Sequence, residues 1–166
     1  MFRDMRRKKQ ALSPEDCAAV LSRGTSGVLA VLGDGGYPYA VPLSYGWEDG
    51  KLYFHCAKEG HKLDAIRAEP KVSFCVIDQD EVVPLEYTTY FRSVIVFGTI
   101  HVIEDEAEKR TRIEQLAKRY TPEDSAEHRQ AMIEDYWNSL CLLELTIKSM
   151  TGKEAIEIVK EKAAEH

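Results

Sequence analysis

The chain has 166 residues, 44% of them hydrophobic and 30% charged, a composition typical of one globular domain with a sizeable apolar core. Its formal net charge of -6 would repel a nucleic-acid backbone, so we expect no nucleic-acid partner despite the short basic run at residues 6–9. The basic opening is followed by no apolar run, and no stretch approaches the ~20 apolar residues that span a bilayer. We therefore expect a single domain (1–166) that is cytoplasmic and has no membrane partner.

The cysteines indicate neither a disulfide framework nor a metal site. No C-x-x-C pair occurs among them, which is typical of buried free thiols in a reducing compartment. They are Cys17, Cys56, Cys75 and Cys141. His55 and Cys56 are neighbours on a predicted strand and would point to opposite faces, so they are poorly placed to share a metal ion with His61. We predict no bound metal.

The first predicted elements are a capped helix and a β-hairpin. Ser13 can cap a helix that starts at Pro14. Strands are predicted at 28–32 and 37–45, joined by a glycine-rich turn at 33–36. This turn precedes a strand and lacks the G-x-G-x-x-G spacing, so it is not a nucleotide-binding loop.

The second strand of this hairpin has one face of small residues, because Pro38, Ala40, Pro42 and Ser44 alternate with larger side chains. The two prolines cannot donate ladder hydrogen bonds, so the strand is predicted at an edge or split of the sheet. Small side chains on one face would let a flat ligand approach the backbone.

The stretch 52–70 joins a strand to a helix through the loop in which we place the chemistry. Asp49-Gly50 predicts the hairpin turn into this strand. One face, with Leu52, Phe54 and Cys56, is predicted to meet the core. The other face, with Tyr53, His55 and Ala57, is predicted to meet a ligand. Gly60 permits a tight turn before the helix. His61 and Lys62 fall in the first helical turn, where free N–H groups and an ammonium suit a phosphate, although the pattern taken alone favours a solvated helix lysine.

Two later runs, 72–77 and 93–103, are apolar on both faces, so both faces of each strand must be buried. One face can line a barrel interior, and the other must meet helices or a second subunit. Residues 78–91 between them are expected to form a partly ordered excursion. The remaining predicted elements are a helix at 104–120, a helix capped at Thr121-Pro122-Glu123-Asp124, and a last strand at 140–147. About six strands joined by hairpins and short helices predict a small, mostly antiparallel barrel with peripheral helices.

The sequence resembles the pyridoxamine phosphate oxidase-like flavin-binding split-barrel family, and is most similar to its nitroimidazole-resistance-type subgroup. The most specific matching piece is the H-x-A-x-x-G-x-K pattern from His55 to Lys62. Weaker pieces follow the family's order at 6–10, 39–45, 92–98 and 150–153. The resemblance implies a mainly β fold with peripheral helices, namely a six-stranded antiparallel split β-barrel. It also implies a homodimer with FMN bound at the subunit interface.

The same resemblance implies roles for particular residues. The flavin ring would meet backbone of Val41, Pro42 and Leu43, with His55, Cys56 and Ala57 beside it. The phosphate would be held by His61 and Lys62, helped by Ser93 and Arg92. The subgroup often has serine or glycine where this chain has Cys56, and no residues match those with which the true oxidase binds pyridoxal phosphate.

The function that the resemblance implies is an FMN-dependent oxidoreductase. It would reduce a small-molecule electron acceptor such as a nitro compound, with a reduced nicotinamide as one candidate donor. A non-catalytic flavin-binding or redox-sensing protein is an alternative, because few acid/base groups would be obliged to act in turnover. A haem-binding member of the same fold, with His55 or His61 as axial ligand, is another. No catalytic residue is assigned, because sequence spacing fixes none of the required geometry.

Overall fold

The computed structural model describes residues 2–48 and 50–164. Seven antiparallel strands form one sheet in the order β2-β1-β5-β6-β7-β4-β3. The strands are β1 (Ser26–Leu32), β2 (Pro38–Ser44), β3 (Gly46–Glu48), β4 (Lys51–Ala57), β5 (Lys71–Val83), β6 (Thr88–Val102) and β7 (Leu140–Glu154). The helices are α1 (Pro14–Arg23), α2 (His61–Ala68), α3 (Glu106–Tyr120), α4 (Ala126–Tyr136) and α5 (Ile156–Ala164), with short 3₁₀ turns at Lys8–Gln10, Asp34–Gly36 and Pro84–Glu86.

The sheet curls into a barrel that stays open along one seam. Its two edge strands, β2 and β3, are separated in the chain by Tyr45 alone. The edges must therefore meet, yet no ladder joins β2 to β3 or β4 among the described strands. The mainly β split-barrel prediction is confirmed, with seven strands in place of six because the segment after Tyr45 pairs with β4 as a separate strand. The prediction that the strand bearing Pro38 and Pro42 is an edge strand is also confirmed.

A tyrosine hydroxyl from α3 holds the seam where the chain crosses it. The N–H of Tyr45 donates to the Tyr120 hydroxyl at 2.9 Å. That hydroxyl lies 2.6 Å from the carbonyl oxygens of both Tyr45 and Thr25, to which it can donate. The fully buried Tyr45 side chain donates its own hydroxyl to the Leu21 carbonyl at 2.8 Å. These hydrogen bonds fix the end of α3 and the residues of α1 to the chain between β2 and β3.

Two apolar clusters hold the fold. The larger fills the barrel interior and includes Leu29, Phe54, Phe74 and Val96, with α1 and α2 packed against it. The smaller lies outside the barrel, where α3 covers β4 and β7. Tyr53 belongs to this second cluster and is 3% exposed, so the prediction that it faces a ligand is wrong. Tyr53 and His55 lie on the same face of β4, but α3 covers that face only at Tyr53. His55, nearer the end of the strand, is exposed.

The expected excursion at 78–91 is instead a regular hairpin. β5 and β6 are paired from Lys71 and Thr99 at one end to Val83 and Thr88 at the other, with one irregularity after Ile77. A 3₁₀ turn forms the tip of the hairpin. The hairpin end projects beyond the barrel, so Leu85 and Tyr87 are almost fully exposed. No buried face imposes an alternating pattern there, which explains why the sequence showed no clean period.

The helix caps were predicted with mixed success. Ser13 accepts a hydrogen bond from the Asp16 N–H at 3.0 Å, as predicted. The cap of α4 is Ser125, which accepts from the His128 N–H at 3.1 Å, because Thr121 instead donates to the end of α3. The predicted turn at Asp49-Gly50 has its first residue outside the described ranges. Within 2–48 and 50–164, no helix is both long and apolar enough to cross a bilayer.

Candidate functional site

The turn from β4 into α2 depends on Gly60. This residue precedes α2 with φ +130°, a conformation that side chains other than glycine rarely adopt. A Cβ added there would meet nothing within 4 Å, so the backbone angle and not the lack of space requires glycine. Leu63 and Ile66 anchor the helix in the barrel interior, which leaves its first turn at the surface.

His61 is held by the opposite hairpin. Its Nε2 accepts a hydrogen bond from the Asp34 N–H at 3.4 Å, and its ring packs on Tyr39 of β2. The side chain therefore bridges the start of α2 and the β1–β2 turn. This contact brings the start of α2 to the edge strand, which the sequence alone did not predict.

Lys62 lies close enough to the end of β4 for its charge to act on residues there. Burial is the main cause that lowers the pKa of His55, and the positive charge of Lys62 lowers it further. The same charge acts on the Cys56 thiol. No hydrogen bond or ion pair holds the Lys62 ammonium in the part of the chain that the structure describes. A half-buried cation in this position is available to an anionic ligand.

A cavity of about 690 Å³ lies between the end of β4 and the helices α3 and α4, and neither His61 nor Lys62 lines it. Its floor is the end of β4 with Ser44 of β2, and α3 and α4 form its roof. His55, Cys56 and Ala57, which the resemblance places beside a flavin ring, all line it. The roof is largely apolar, with Ile113, Leu116, Ala117, Met132, Ile133 and Tyr136.

The predicted residues of β2 lie along the other side of the seam. Pro42 is exposed, whereas Val41 and Leu43 are partly buried against the barrel interior. The small-residue face of Pro38, Ala40, Pro42 and Ser44 is exposed along its length. Because β2 pairs with β1 only, the backbone groups on its other edge are open to a ligand.

Arg92 and Ser93 lie far from this cavity within one subunit. They pair with Glu154 and Lys153, at the end of β6 opposite to the end that approaches β4. Arg92 donates to Glu154 and Asp78, both at 3.0 Å, so its charge is already neutralised. One subunit therefore does not bring Arg92 and Ser93 to Lys62, and a shared site would need them from a second copy.

Sequence reasoning missed the residues that α3 and α4 bring to the cavity. Asp124 Oδ1 lies 2.8 Å from His128 Nδ1, and the Arg129 guanidinium donates to the Asp124 carbonyl at 3.1 Å. All three line the cavity. They belong to a short link and a helix start whose local pattern indicates only helix capping. Nothing in that pattern indicates which cavity the helix covers.

Comparison with known proteins identifies the family of this chain and several structures with the same fold. A profile of the pyridoxamine 5'-phosphate oxidase family matches residues 13–154. No curated protein sequence matches the chain. The chain is similar to a FAD-binding protein structure from Mesorhizobium loti, with 28% identity, 88% of this chain and 97% of that chain covered, and a TM-score of 0.64.

Two further solved structures share the fold. A FAD and haem binding protein from Mycobacterium smegmatis is 25% identical, with 89% of this chain and 73% of that chain covered and a TM-score of 0.72. A candidate 5-nitroimidazole antibiotic resistance protein from Bacteroides thetaiotaomicron is 21% identical, with 87% and 86% covered and a TM-score of 0.72.

Proposed function

Because the chain belongs to the pyridoxamine 5'-phosphate oxidase family, we propose that it is a flavoprotein that binds FMN. The finer proposal is an FMN-dependent oxidoreductase that reduces a small electrophile such as a nitro compound. Support for a flavin comes from the similar structures described as a FAD-binding protein and a FAD and haem binding protein. The fold shared with the candidate 5-nitroimidazole resistance protein is consistent with a nitro substrate.

The observation that carries this proposal is the position of the Lys62 ammonium. It lies in the first turn of α2, where helix N–H groups have no intrahelical partner, and it faces His55 and Cys56 at the end of β4. No anionic side chain of the described residues pairs with it. A phosphate would satisfy both the N–H groups and the ammonium. His61, held by Tyr39 and Asp34, would fix the turn in which the phosphate lies.

The seam would hold the ring of the same ligand. The cavity at the Ser44 end of the seam has a volume of about 690 Å³, within the ~300–1,000 Å³ typical of small-molecule sites. The exposed face of β2, with Ala40 and Pro42, offers little steric obstruction to a flat ring. His55 and Ala57 lie on the other side of the opening.

FMN bound there would supply hydride and electron transfer to the site. His55 has a lowered pKa, so at neutral pH its imidazole is uncharged and can donate one hydrogen bond and accept another. Leu116 and Ile133 help to exclude water from the cavity. Asp124 orients the His128 ring in the cavity wall, which places a second titratable group beside a bound substrate.

The homodimer belongs to the same proposal. On the outer face of β1, β5 and β6, cross-strand rows place Val28, Cys75 and Ile95 side by side, next to Phe97. The fractional exposures of Ile95 and Phe97 are 39% and 40%, although the Phe2 ring packs against Phe97 with centroids 5.6 Å apart. A second subunit would bury this face, and a specific dimer needs ~1,000 Å² or more of buried surface. Ser93 of the second subunit would then be available to the flavin site, whereas Arg92 would first have to leave Glu154 and Asp78.

Ligand titration tests the flavin proposal. The purified protein, freed of bound ligand, is titrated with FMN, FAD and riboflavin by fluorescence quenching. FMN is expected to bind roughly ten- to a hundredfold more tightly than riboflavin, which lacks the phosphate. Absence of binding by all three would refute the proposal. Oxidation of a reduced nicotinamide in the presence of a nitro compound then distinguishes an oxidoreductase from a non-catalytic flavin-binding or redox-sensing protein.

Haem binding is the second candidate, and His55 is the observation that favours it. Its side chain lines the cavity and is uncharged at neutral pH, as an axial ligand must be. A relative of 25% identity is described as binding both FAD and haem. A Soret absorbance band in the purified protein that is lost in His55→Ala would establish this alternative.

A further inference from the structure

Two of the cysteines form a pair that the proposed flavin chemistry does not use. Cys56 of β4 and Cys141 of β7 are directly opposite one another in the antiparallel ladder. Directly opposite residues have Cα atoms about 4.5–5.5 Å apart, within the range that a disulfide requires. Both are free thiols, and both side chains face the barrel interior. The two thiols lie close enough for each to shift the pKa of the other.

The surroundings of Cys141 differ from those of a simple core cysteine. It lines a separate cavity of about 270 Å³ whose charged residues are the cations Lys58, Arg67 and Lys109 and the carboxylates Glu104 and Glu106. The hydrogen bond from Cys56 is the main cause that lowers the pKa of Cys141, and Arg67 and Lys109 lower it further. Burial and Glu104 oppose this shift without reversing it. Two thiols directly opposite one another on neighbouring strands, with three cations beside one of them, have the features of a reactive pair.

We propose that Cys141 and Cys56 form a dithiol site that reduces small anionic disulfides. The Cys141 thiolate attacks one sulfur of the disulfide, forming a mixed disulfide and releasing one thiolate. The Cys56 thiol then loses its proton and attacks Cys141, which forms the Cys56–Cys141 bond and releases the second half as a thiol. The protein loses two electrons and the small disulfide gains them. The cations of the cavity, Lys58 and Arg67 above all, bind the carboxylates of the disulfide.

Thiol mapping of the parent protein tests the proposal directly. The reduced protein is incubated with glutathione disulfide at pH 7, remaining thiols are alkylated, and peptides are identified by mass spectrometry. A peptide pair linked through Cys56 and Cys141 is expected, with Cys17 and Cys75 still alkylated. Cys75 is the control, since its pKa is raised by burial and no other cysteine is its ladder partner. Because the proposed homodimer would cover Cys75, the comparison is repeated in Phe97→Lys, which is designed to separate the subunits. We expect the pair to react at least about tenfold faster than Cys75.

A single variant tests the order of the two steps. In Cys56→Ser, Cys141 should accumulate as a stable mixed disulfide with glutathione, because no second thiol can displace it. The parent result decides the question if this variant does not fold. Unreacted Cys56 and Cys141 in the parent, or modification of Cys75 first, would overturn the proposal. None of these outcomes depends on whether the protein binds a flavin.

Discussion

The rings of Tyr39 and His61 are stacked, with centroids 4.3 Å apart and planes inclined by 20°. Tyr39 belongs to the edge strand β2, and His61 is the first residue of α2. The contact thus joins the two sides of the proposed flavin site across the loop. It assigns His61 a positioning role, since its Nε2 is already engaged by the Asp34 N–H.

His61→Phe and His61→Ala separate the stacking from the other properties of the imidazole. His61→Phe keeps an aromatic ring on Tyr39, so we expect FMN affinity close to that of the parent. His61→Ala removes the stack and should weaken FMN by about 0.5–1.5 kcal/mol, roughly two- to tenfold. Fluorescence titration measures both. Equal losses in the two variants would instead indicate that the imidazole contacts the phosphate.

Lys62→Ala should weaken FMN by roughly ten- to a hundredfold, because a hydrogen bond to a charged group contributes about 1.5–3 kcal/mol. Riboflavin affinity should hardly change, since riboflavin has the ring without the phosphate. Lys58→Ala is the control, because Lys58 is an exposed lysine of the same loop. Parallel losses for both flavins in Lys62→Ala would show general damage to the site.

Ala40→Leu should obstruct the flavin ring while the fold remains intact. Ala40 lies on the exposed face of β2, so the larger side chain displaces nothing in the barrel interior. Overpacking a filled site costs about 1–3 kcal/mol, which corresponds to roughly ten- to a hundredfold in FMN affinity. Val41→Ala, on the partly buried face, should lower the unfolding temperature more. Unchanged FMN affinity in Ala40→Leu would mean that the ring lies elsewhere.

Phe97→Lys should dissociate the proposed homodimer, because it places a charge in the centre of the apolar outer face. Leu85→Lys is the matched control, since Leu85 is 95% exposed at the tip of the β5–β6 hairpin. Light scattering at micromolar concentration with FMN present is expected to give a dimer for the parent and for Leu85→Lys. A monomeric parent would remove both the dimer and the shared flavin site.

Asp78→Asn should destabilise the fold in a pH-dependent way. The hydrogen bond from Arg23 is the main cause that lowers the pKa of Asp78 below its ordinary value of 3.8, and Arg92 adds to it. A lowered carboxyl pKa stabilises the folded state above pH 3.8, and this stabilisation is lost as the pH falls through the folded-state pKa. Denaturant unfolding should therefore show a loss of about 1.5–3 kcal/mol at neutral pH. Parent and variant should converge in acid; a gap that persists there would refute the electrostatic cause.

Local sequence chemistry determined the elements on which the site is built. Pro38 and Pro42 lack an N–H, so their strand had to lie at an edge of the sheet. Alternation of side chains placed His55 and Ala57 on one face of β4, and Gly60 permitted the turn before α2. These features follow from backbone geometry within a few residues, which is why the sequence alone predicts them.

The tertiary structure decided everything that depends on contacts between distant segments. The stacking of His61 on Tyr39 and the roof formed by α3 and α4 depend on how the sheet curls, and no local pattern encodes that curvature. Arg92 was grouped with Lys62 by resemblance, but the ladder places it at the other end of β6, in an ion pair with Glu154. Likewise, Cys56 and Cys141 are 85 positions apart in the chain, and only the register of β4 against β7 makes them neighbours.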